Sequence, residues 1–352
     1  MYVWCSMVYF LDRKKAVRKR RNVIVSLILL VAISILTGLG VYVNSDMSVS
    51  GKTDYIKWVD FNVSYEALCK AYELDVETYQ QPVHVNWIEL LAYVAAKNGG
   101  DFPKGAVEEL EKTKDVLCQK ESTLEEMTKD LKYYSYYLEA YHAVLDGMVG
   151  EFQMDGKKQY GLKAYLPIAK GFDYSGYDDF GTSRSYGFKR EHLGHDMMGQ
   201  IGTPIIAVES GFVEVLGWNQ YGGWRIGIRS FDKKRYYYYA HLRQNFPYCK
   251  TLKEGDLVTA GDVIGYMGHT GYSTKENVNN IEIVHLHFGM QLIFDESQKE
   301  CNSEIWIDVY NLTRFLAKQR SQTEKNVSTK EWVRTTKMID PAVEEYRKEK
   351  EK

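Results

Sequence analysis

The chain has 352 residues, of which 45% are hydrophobic and 26% charged, with a formal charge of -2 at neutral pH. Single domains usually hold about 100–200 residues, so the length allows two folded units and an anchor. The apolar content suits a buried core, and the near-neutral charge excludes a polycation for gripping nucleic acid, so no nucleic-acid partner is expected. The 28 tyrosines are expected mainly as core, although their amphipathic rings also suit a saccharide-facing groove or a membrane interface.

In chain order, residues 1–21 form a basic segment, with Arg13, Lys14, Lys15, Arg18, Lys19, Arg20 and Arg21. Val23 to Val43 then carries no charged residue, and at ~1.5 Å per residue it reaches ~31 Å, matching a hydrocarbon core of about 30 Å. A cleavable leader has an apolar region of only roughly 7–15 residues, and no clear Ala-x-Ala site follows this one. A transmembrane helix is therefore expected at 22–43. The basic flank places the N-terminus in the cytoplasm, which makes this a single-pass protein of the cell membrane with everything after about residue 44 extracytoplasmic.

From 54 to 150 the apolar residues keep a helical rhythm, as in Tyr65, Leu68, Tyr72, Val76 and Tyr79. Asn86 with Glu89 resembles a capping box opening a helix from Trp87 to Lys97, and Gly99-Gly100 supplies its stop. Thr123 with Glu126 opens a long segment through Tyr133, Tyr134, Tyr136, Tyr137 and Tyr141 to Gly147. These features predict a small all-α domain of about four helices over 54–150. It holds no cluster of ligand residues, which leaves it docking or positioning, including contacts with protein partners.

Past Gly150 short β-type runs punctuated by glycine replace the helical pattern: Ile205-Ile206-Ala207-Val208, Phe212 to Val215, Trp224 to Ile228 and Arg235 to Ala240. They predict an antiparallel sheet domain over 151–320. Gly171 to Gly187 reads as a loop, placed where it would shape a cleft. Residues 321–352 read as a charged tail, mobile or a solvated helix. Cys5, Cys69, Cys118, Cys249 and Cys301 lack the close spacing of a thiolate zinc site, and free thiols are the expected state, with Cys69–Cys118 or Cys249–Cys301 the conceivable bridges.

The chemistry sits in the sheet region. His192-Leu193-Gly194-His195-Asp196 offers imidazole and carboxylate, good zinc ligands, with a glycine that lets the chain bend between them. Alternation along Ile281 to Met290 puts His285, His287 and Gly289 on one face, and Leu286, Phe288 and Met290 on the other. By the same alternation Tyr237, Tyr239 and His241 share one face of another strand, leaving Tyr236, Tyr238, Ala240 and Leu242 opposite. Candidate groups on three β segments predict a convergent site. His195 and His269 are expected to stand aside, and His84 and His142 have no ligand neighbours.

These segments, in this order, resemble the LytM and lysostaphin type of zinc metallopeptidase, which cuts peptide bonds in peptidoglycan. The resemblance covers roughly 184–291: His192-x-Gly194-x-Asp196, Gly202-Thr203-Pro204-Ile205, Ala207-Val208-x-x-Gly211, Tyr239-Ala240-His241-Leu242 and His285-Leu286-His287-Phe288. Between them stand Gly255-Asp256-Leu257-Val258, Gly261 to Gly265 and Gly268-His269-Thr270-Gly271. The resemblance implies an α+β multidomain chain whose antiparallel β catalytic domain is LytM-like, of the duplicated-hybrid-motif type. It implies one Zn²⁺ per chain on His192, Asp196 and His287, with His241 and His285 off the metal beside an activated water. Which of those two takes the proton stays open. The rival reading is a catalytically inactive LytM-like scaffold or wall-binding protein at the cell surface, and the complete ligand set weighs against it. The hairpin around Gly255 to Gly265 also resembles biotinyl carrier domains, but the lysine such a turn needs is absent.

Overall fold

The structure, a computed structural model, describes residues 59–185, 189–299 and 304–351. Five helices come first: α1 (Tyr65–Thr78), α2 (Trp87–Asn98), α3 (Ala106–Cys118), α4 (Leu124–Thr128) and α5 (Tyr134–Leu145). The strands that follow are β1 (Val149–Met154), β2 (Lys157–Leu162), β3 (Ser175–Gly176), β4 (Ser183–Ser185), β5 (Lys189–Glu191), β6 (His195–Met198), β7 (Pro204–Ile206), β8 (Gly211–Asn219) and β9 (Gly223–Ser230). Next come β10 (Arg235–Ala240), β11 (Leu257–Val258), β12 (Val263–Tyr266), β13 (His285–Leu292) and β14 (Ile305–Ile307). Helix α6 (Tyr310–Leu316), β15 (Thr323–Lys325), β16 (Trp332–Arg334), β17 (Met338–Ile339) and α7 (Pro341–Lys350) complete the order.

Caps set the helix starts. The Asn86 carboxamide oxygen accepts from the backbone N–H groups of Ile88 and Glu89, and Gly99 ends α2 at φ 66°, where a side chain would be strained. Thr123 and Glu126 form the expected reciprocal box. The helix it opens, however, stops after Thr128, whose hydroxyl turns back onto the Leu124 carbonyl at 2.7 Å. A turn closed by Leu131 N–H to Thr128 O at 2.9 Å follows, and the tyrosine cluster starts a helix of its own. The expected long segment is thus two helices.

Among the described residues the largest sheet has eight strands in the order β11-β8-β9-β10-β13-β6-β3, with β14 also on β13. All of its ladders are antiparallel. The antiparallel domain and the helical region before it both match the expected α+β class. One face of the sheet carries Ile226, Ile228, Tyr237, Tyr239, Leu286, Phe288 and Met290 into the core. The same core continues into the helices, where Phe315 of α6 packs edge-on against Tyr72 of α1 with ring centroids 5.5 Å apart. Asp75 of α1 joins the two parts, accepting from Tyr160 Oη at 2.6 Å and from Trp87 N–H at 2.9 Å.

Residues 321–352 contribute structure to the same unit. β17 pairs with β1, Met338 is buried, and Tyr346 stacks on Phe231 at 4.5 Å, while most of α7 faces solvent. Cys69, Cys118 and Cys249 are free thiols, and Cys301 lies outside the described residues. So do the basic segment 1–21 and the span expected at 22–43; among the described residues no helix is long and apolar enough to cross a membrane.

Arg235, 2% exposed, ties α5 to the sheet. Its Nε and Nη2 donate to the Glu209 carboxylate at 2.9 and 3.1 Å, its Nη1 donates to the Ala143 carbonyl at 2.9 Å, and Tyr237 Oη donates to Glu209 at 2.6 Å. Removing Glu209 leaves the buried Arg235 guanidinium with Asp232 alone, at 3.2 Å and itself partly exposed, as counterion. Glu209→Ala is therefore expected to cost about 3–5 kcal/mol in urea unfolding, and the double variant Glu209→Leu/Arg235→Met to cost less than Glu209→Ala alone. A loss below about 1 kcal/mol in Glu209→Ala would mean that the network does not hold the two parts together.

Candidate metal centre and cleft

Register builds the site. Residues directly opposite in an antiparallel ladder point to the same face, and the pairings Ala240↔His287 and His287↔Asp196 run in one row across β10, β13 and β6. The alternate row, Tyr239↔Phe288 and Phe288↔His195, faces the core. His195 accordingly points away from the site, as expected, and its Nδ1 meets Thr313 Oγ1 at 2.8 Å. Burial brings its pKa down to about 4.

His192 enters from the turn between β5 and β6. Its Nε2 lies 2.9 Å from Asp196 Oδ1 and 3.1 Å from His287 Nδ1, and the last two atoms are 2.8 Å apart. His192 Nδ1 lies 3.0 Å from Asp179 Oδ1, and donating there turns the Nε2 lone pair toward the other two atoms. Three lone-pair donors thus face one small space, an arrangement that a cation satisfies. Tetrahedral ligand atoms bound at about 2.0–2.2 Å lie about 3.3–3.6 Å apart, so this triangle would open by a few tenths of an ångström around an ion. Burial opposes charge on His192, but Asp196 and Asp179 outweigh it and raise its pKa. Burial likewise works against the Asp196 carboxylate, and hydrogen bonds with His192 and His287 overcome it, holding the group far below the usual carboxylate range.

Gly194 serves this triangle by absence rather than by bending. Its φ lies outside the left-handed region, and a Cβ there would stand 2.7 Å from His287 Cε1 and 2.7 Å from the Phe288 carbonyl oxygen.

His241 reaches the site against its strand phase. Alternation places it with Tyr237 and Tyr239, which are buried in the core, whereas Tyr236, Tyr238 and Ala240 line the cleft with His287. The expected sharing of a face by Tyr237, Tyr239 and His241 fails because β10 ends at Ala240 and His241 takes φ 62°. That left-handed step, costly for a residue with a Cβ, returns the imidazole to the site. Its ring centroid is 4.7 Å from that of His285 and 5.8 Å from that of His287. His241 Nδ1 donates to the Thr270 carbonyl at 2.9 Å and His285 Nδ1 to the Ile283 carbonyl at 2.8 Å, so each presents an Nε2 lone pair. His285 Nε2 is 3.7 Å from Asp196 Oδ1. Burial, with His285 and His287 adding to it, pushes the His241 pKa well down, and burial lowers that of His285. Both rings are thereby held neutral, each with an unprotonated Nε2.

Sequence reasoning left out Asp179, Arg184 and Arg190. Asp179 and Arg184 fall in the Gly171–Gly187 loop already read as shaping a cleft, and Arg184 Nη2 bonds to Asp179 and reaches Asp196 Oδ2 at 3.4 Å. His269 caps the Ile281 carbonyl at 2.7 Å, His84 pairs with Asp75 at 2.9 Å and His142 with Asp146 at 2.8 Å, all away from the centre. The cleft over the triangle encloses about 940 Å³ and is walled by Arg190, Tyr221, Tyr238, Tyr272 and Trp306.

Residues 190–300 match the model of peptidase family M23. This chain carries an M23 peptidase domain. The L-Ala–D-Glu endopeptidase of Bacillus subtilis strain 168 is 37% identical over 148 residues, 41% of this chain and 44% of that protein. Lysostaphin of Staphylococcus simulans is 40% identical over 98 residues, 28% of this chain and 17% of that protein. The chain thus spans less than half the length of these curated relatives. A crystal structure from Ruminococcus gnavus assigned as a glycyl-glycine endopeptidase lytM superposes with TM-score 0.51 at 26% identity, covering 77% of this chain and 93% of that one. The M23 segment contains all three members of the donor triangle and both further histidines.

Because the M23 domain has no room for a side chain at position 194, Gly194→Ala is expected to displace the His287 ring and weaken metal binding by about 10–100-fold with the circular dichroism spectrum kept. Chelator competition measures this. Unaltered affinity would show that the His287 ring is not held by that contact.

Proposed function

We propose that this chain is a zinc-dependent endopeptidase that hydrolyses peptide bonds of peptidoglycan stem peptides or cross-bridges. The observation that supports it most is the convergence of His192 Nε2, Asp196 Oδ1 and His287 Nδ1 within 4.8 Å of one another, with two neutral imidazoles beside them. Nitrogen and oxygen donors without sulfur suit Zn²⁺, and three protein ligands leave one position for water and substrate. Bound zinc supplies Lewis-acid polarisation and lowers the pKa of water from 15.7 to about 7.

The chain's own groups do the rest. Asp179 fixes the His192 tautomer and Arg184 braces the Asp179 and Asp196 carboxylates. His285 or His241 accepts the proton of the attacking water at Nε2, and a proton held there can pass to the leaving amine. The other ring, once protonated, can donate to the developing oxyanion.

His287→Ala and Asp196→Ala are expected to lose zinc and activity together, whereas His285→Ala and His241→Ala keep close to one equivalent of zinc and lose roughly 10²–10⁴-fold in turnover. Metal content and muropeptide digestion of the single variants check this. If His285→Ala loses zinc while His287→Ala keeps it, the assignment is reversed; a wild-type chain that binds no zinc returns the inactive scaffold reading.

The location belongs to the same reading: a single span at 22–43 holds the M23 domain outside the cell membrane, against its substrate, with the helices of 54–150 positioning it or meeting protein partners. Protease added to intact protoplasts is expected to degrade the M23 domain. Full protection of that domain would rule this orientation out.

A further inference from the structure

The cleft holds a cation that the hydrolytic chemistry does not use. Arg190 is the middle residue of β5, two residues before the ligand His192, and its guanidinium lies over the Tyr272 ring at 4.8 Å and near the Tyr221 ring at 5.9 Å. The two tyrosines are tied together by Tyr272 N–H donating to the Tyr221 carbonyl at 3.3 Å. Tyr272 is held at φ 46°, a region a bulky side chain rarely enters, and Asn280 Nδ2 donates to its carbonyl at 2.7 Å. The platform under Arg190 is therefore built at some conformational expense.

Arg190 also lacks what arginines in such places usually have. Among the described residues its buried Nε has no hydrogen-bond partner and its guanidinium pairs with no carboxylate. The neighbouring cations differ: Arg184 is engaged by Asp179 and Asp196, and Lys299, further along the cleft, by Glu214. Among the described residues no ion pair joins it to the acids lining the cleft: Glu191 and Glu282 are exposed, and Glu304 accepts from Trp306 Nε1 at 2.8 Å. A guanidinium held over an aromatic ring can still direct its Nη N–H groups at a ligand, and those groups form a planar fork matched to a carboxylate.

We propose that Arg190 binds a free carboxylate on the substrate residue beside the scissile bond, so that this cleft takes an acidic peptide rather than an uncharged glycyl one. The proposal rests on the peptidase reading above and narrows its substrate class. It sets the chain with L-Ala–D-Glu cleavage and apart from glycyl-glycine cleavage, the two bonds named for its relatives.

The test uses the zinc-loaded full chain and three probes: a peptide containing L-Ala–D-Glu with its glutamyl carboxylate free, the same peptide with that carboxylate amidated, and pentaglycine. The free acid is expected to exceed the amide by about 10–100-fold in kcat/KM, the scale of one charge-assisted hydrogen-bonded pair. Arg190→Gln should reduce that preference to about twofold or less by raising KM for the acid, and Arg190→Lys should keep part of it. Equal cleavage of acid and amide by the wild type, preferred cleavage of pentaglycine, or an equal loss on acid and amide in Arg190→Gln overturns the proposal. Calorimetric binding of the acid and amide peptides separates the two layers. Preferential binding of the acid that depends on Arg190, without cleavage of any probe, sinks the peptidase reading and upholds the carboxylate site; binding without preference sinks the carboxylate site.

Discussion

The structure depends on the position of β13 between β10 and β6. One register aligns Ala240, His287 and Asp196 in a row and sends Tyr239, Phe288 and His195 to the other face. Because side chains alternate with period two, slipping either ladder by one residue would bury the ligands and expose the core row. The register is fixed from the core side, by Tyr237, Tyr239, Phe288 and Met290 packed at or near zero exposure. Hydrophobic burial therefore sets the geometry of the donor triangle, and the polar row follows from it.

Regular strand geometry takes the site only part of the way. The two imidazoles beside the triangle sit at strand ends, where the backbone can depart from alternation: His285 opens β13, and His241 follows β10 at φ 62°. Close glycine packing fixes that departure. A Cβ on Gly223 would stand 2.4 Å from the Thr270 carbonyl carbon, and Gly271, at φ 127°, would place one 3.1 Å from His241 Nδ1. The Thr270 carbonyl that orients His241 is thus held between two positions where a side chain does not fit.

Much of this was legible in the residues. The phases of Leu286, Phe288 and Met290 predicted the core face of β13, and Asn86 and Gly99 marked the ends of α2, because these signals are local and periodic. The two-helix break at Thr128 was hidden because the tyrosine cluster continues a helical pattern across the turn. The face of His241 was misassigned for a similar reason: alternation is a rule of strand interiors, and a single left-handed residue cancels it. Asp179 gave no signal of its own, since a carboxylate thirteen positions before His192 becomes its partner only when β3, β4 and β5 fold the loop back. Arg235 and Glu209 likewise looked like ordinary charges until the fold buried them together beneath α5.

On the proposed function a nitrogen and oxygen cage, rather than a thiolate one, holds zinc on this sheet. X-ray absorption at the zinc edge on the loaded protein tests it most directly. One zinc per chain is expected, with nitrogen and oxygen scatterers at about 2.0–2.2 Å, two of them imidazoles, and no sulfur near 2.3 Å. A sulfur shell, or a spectrum with no histidine scattering, would contradict it.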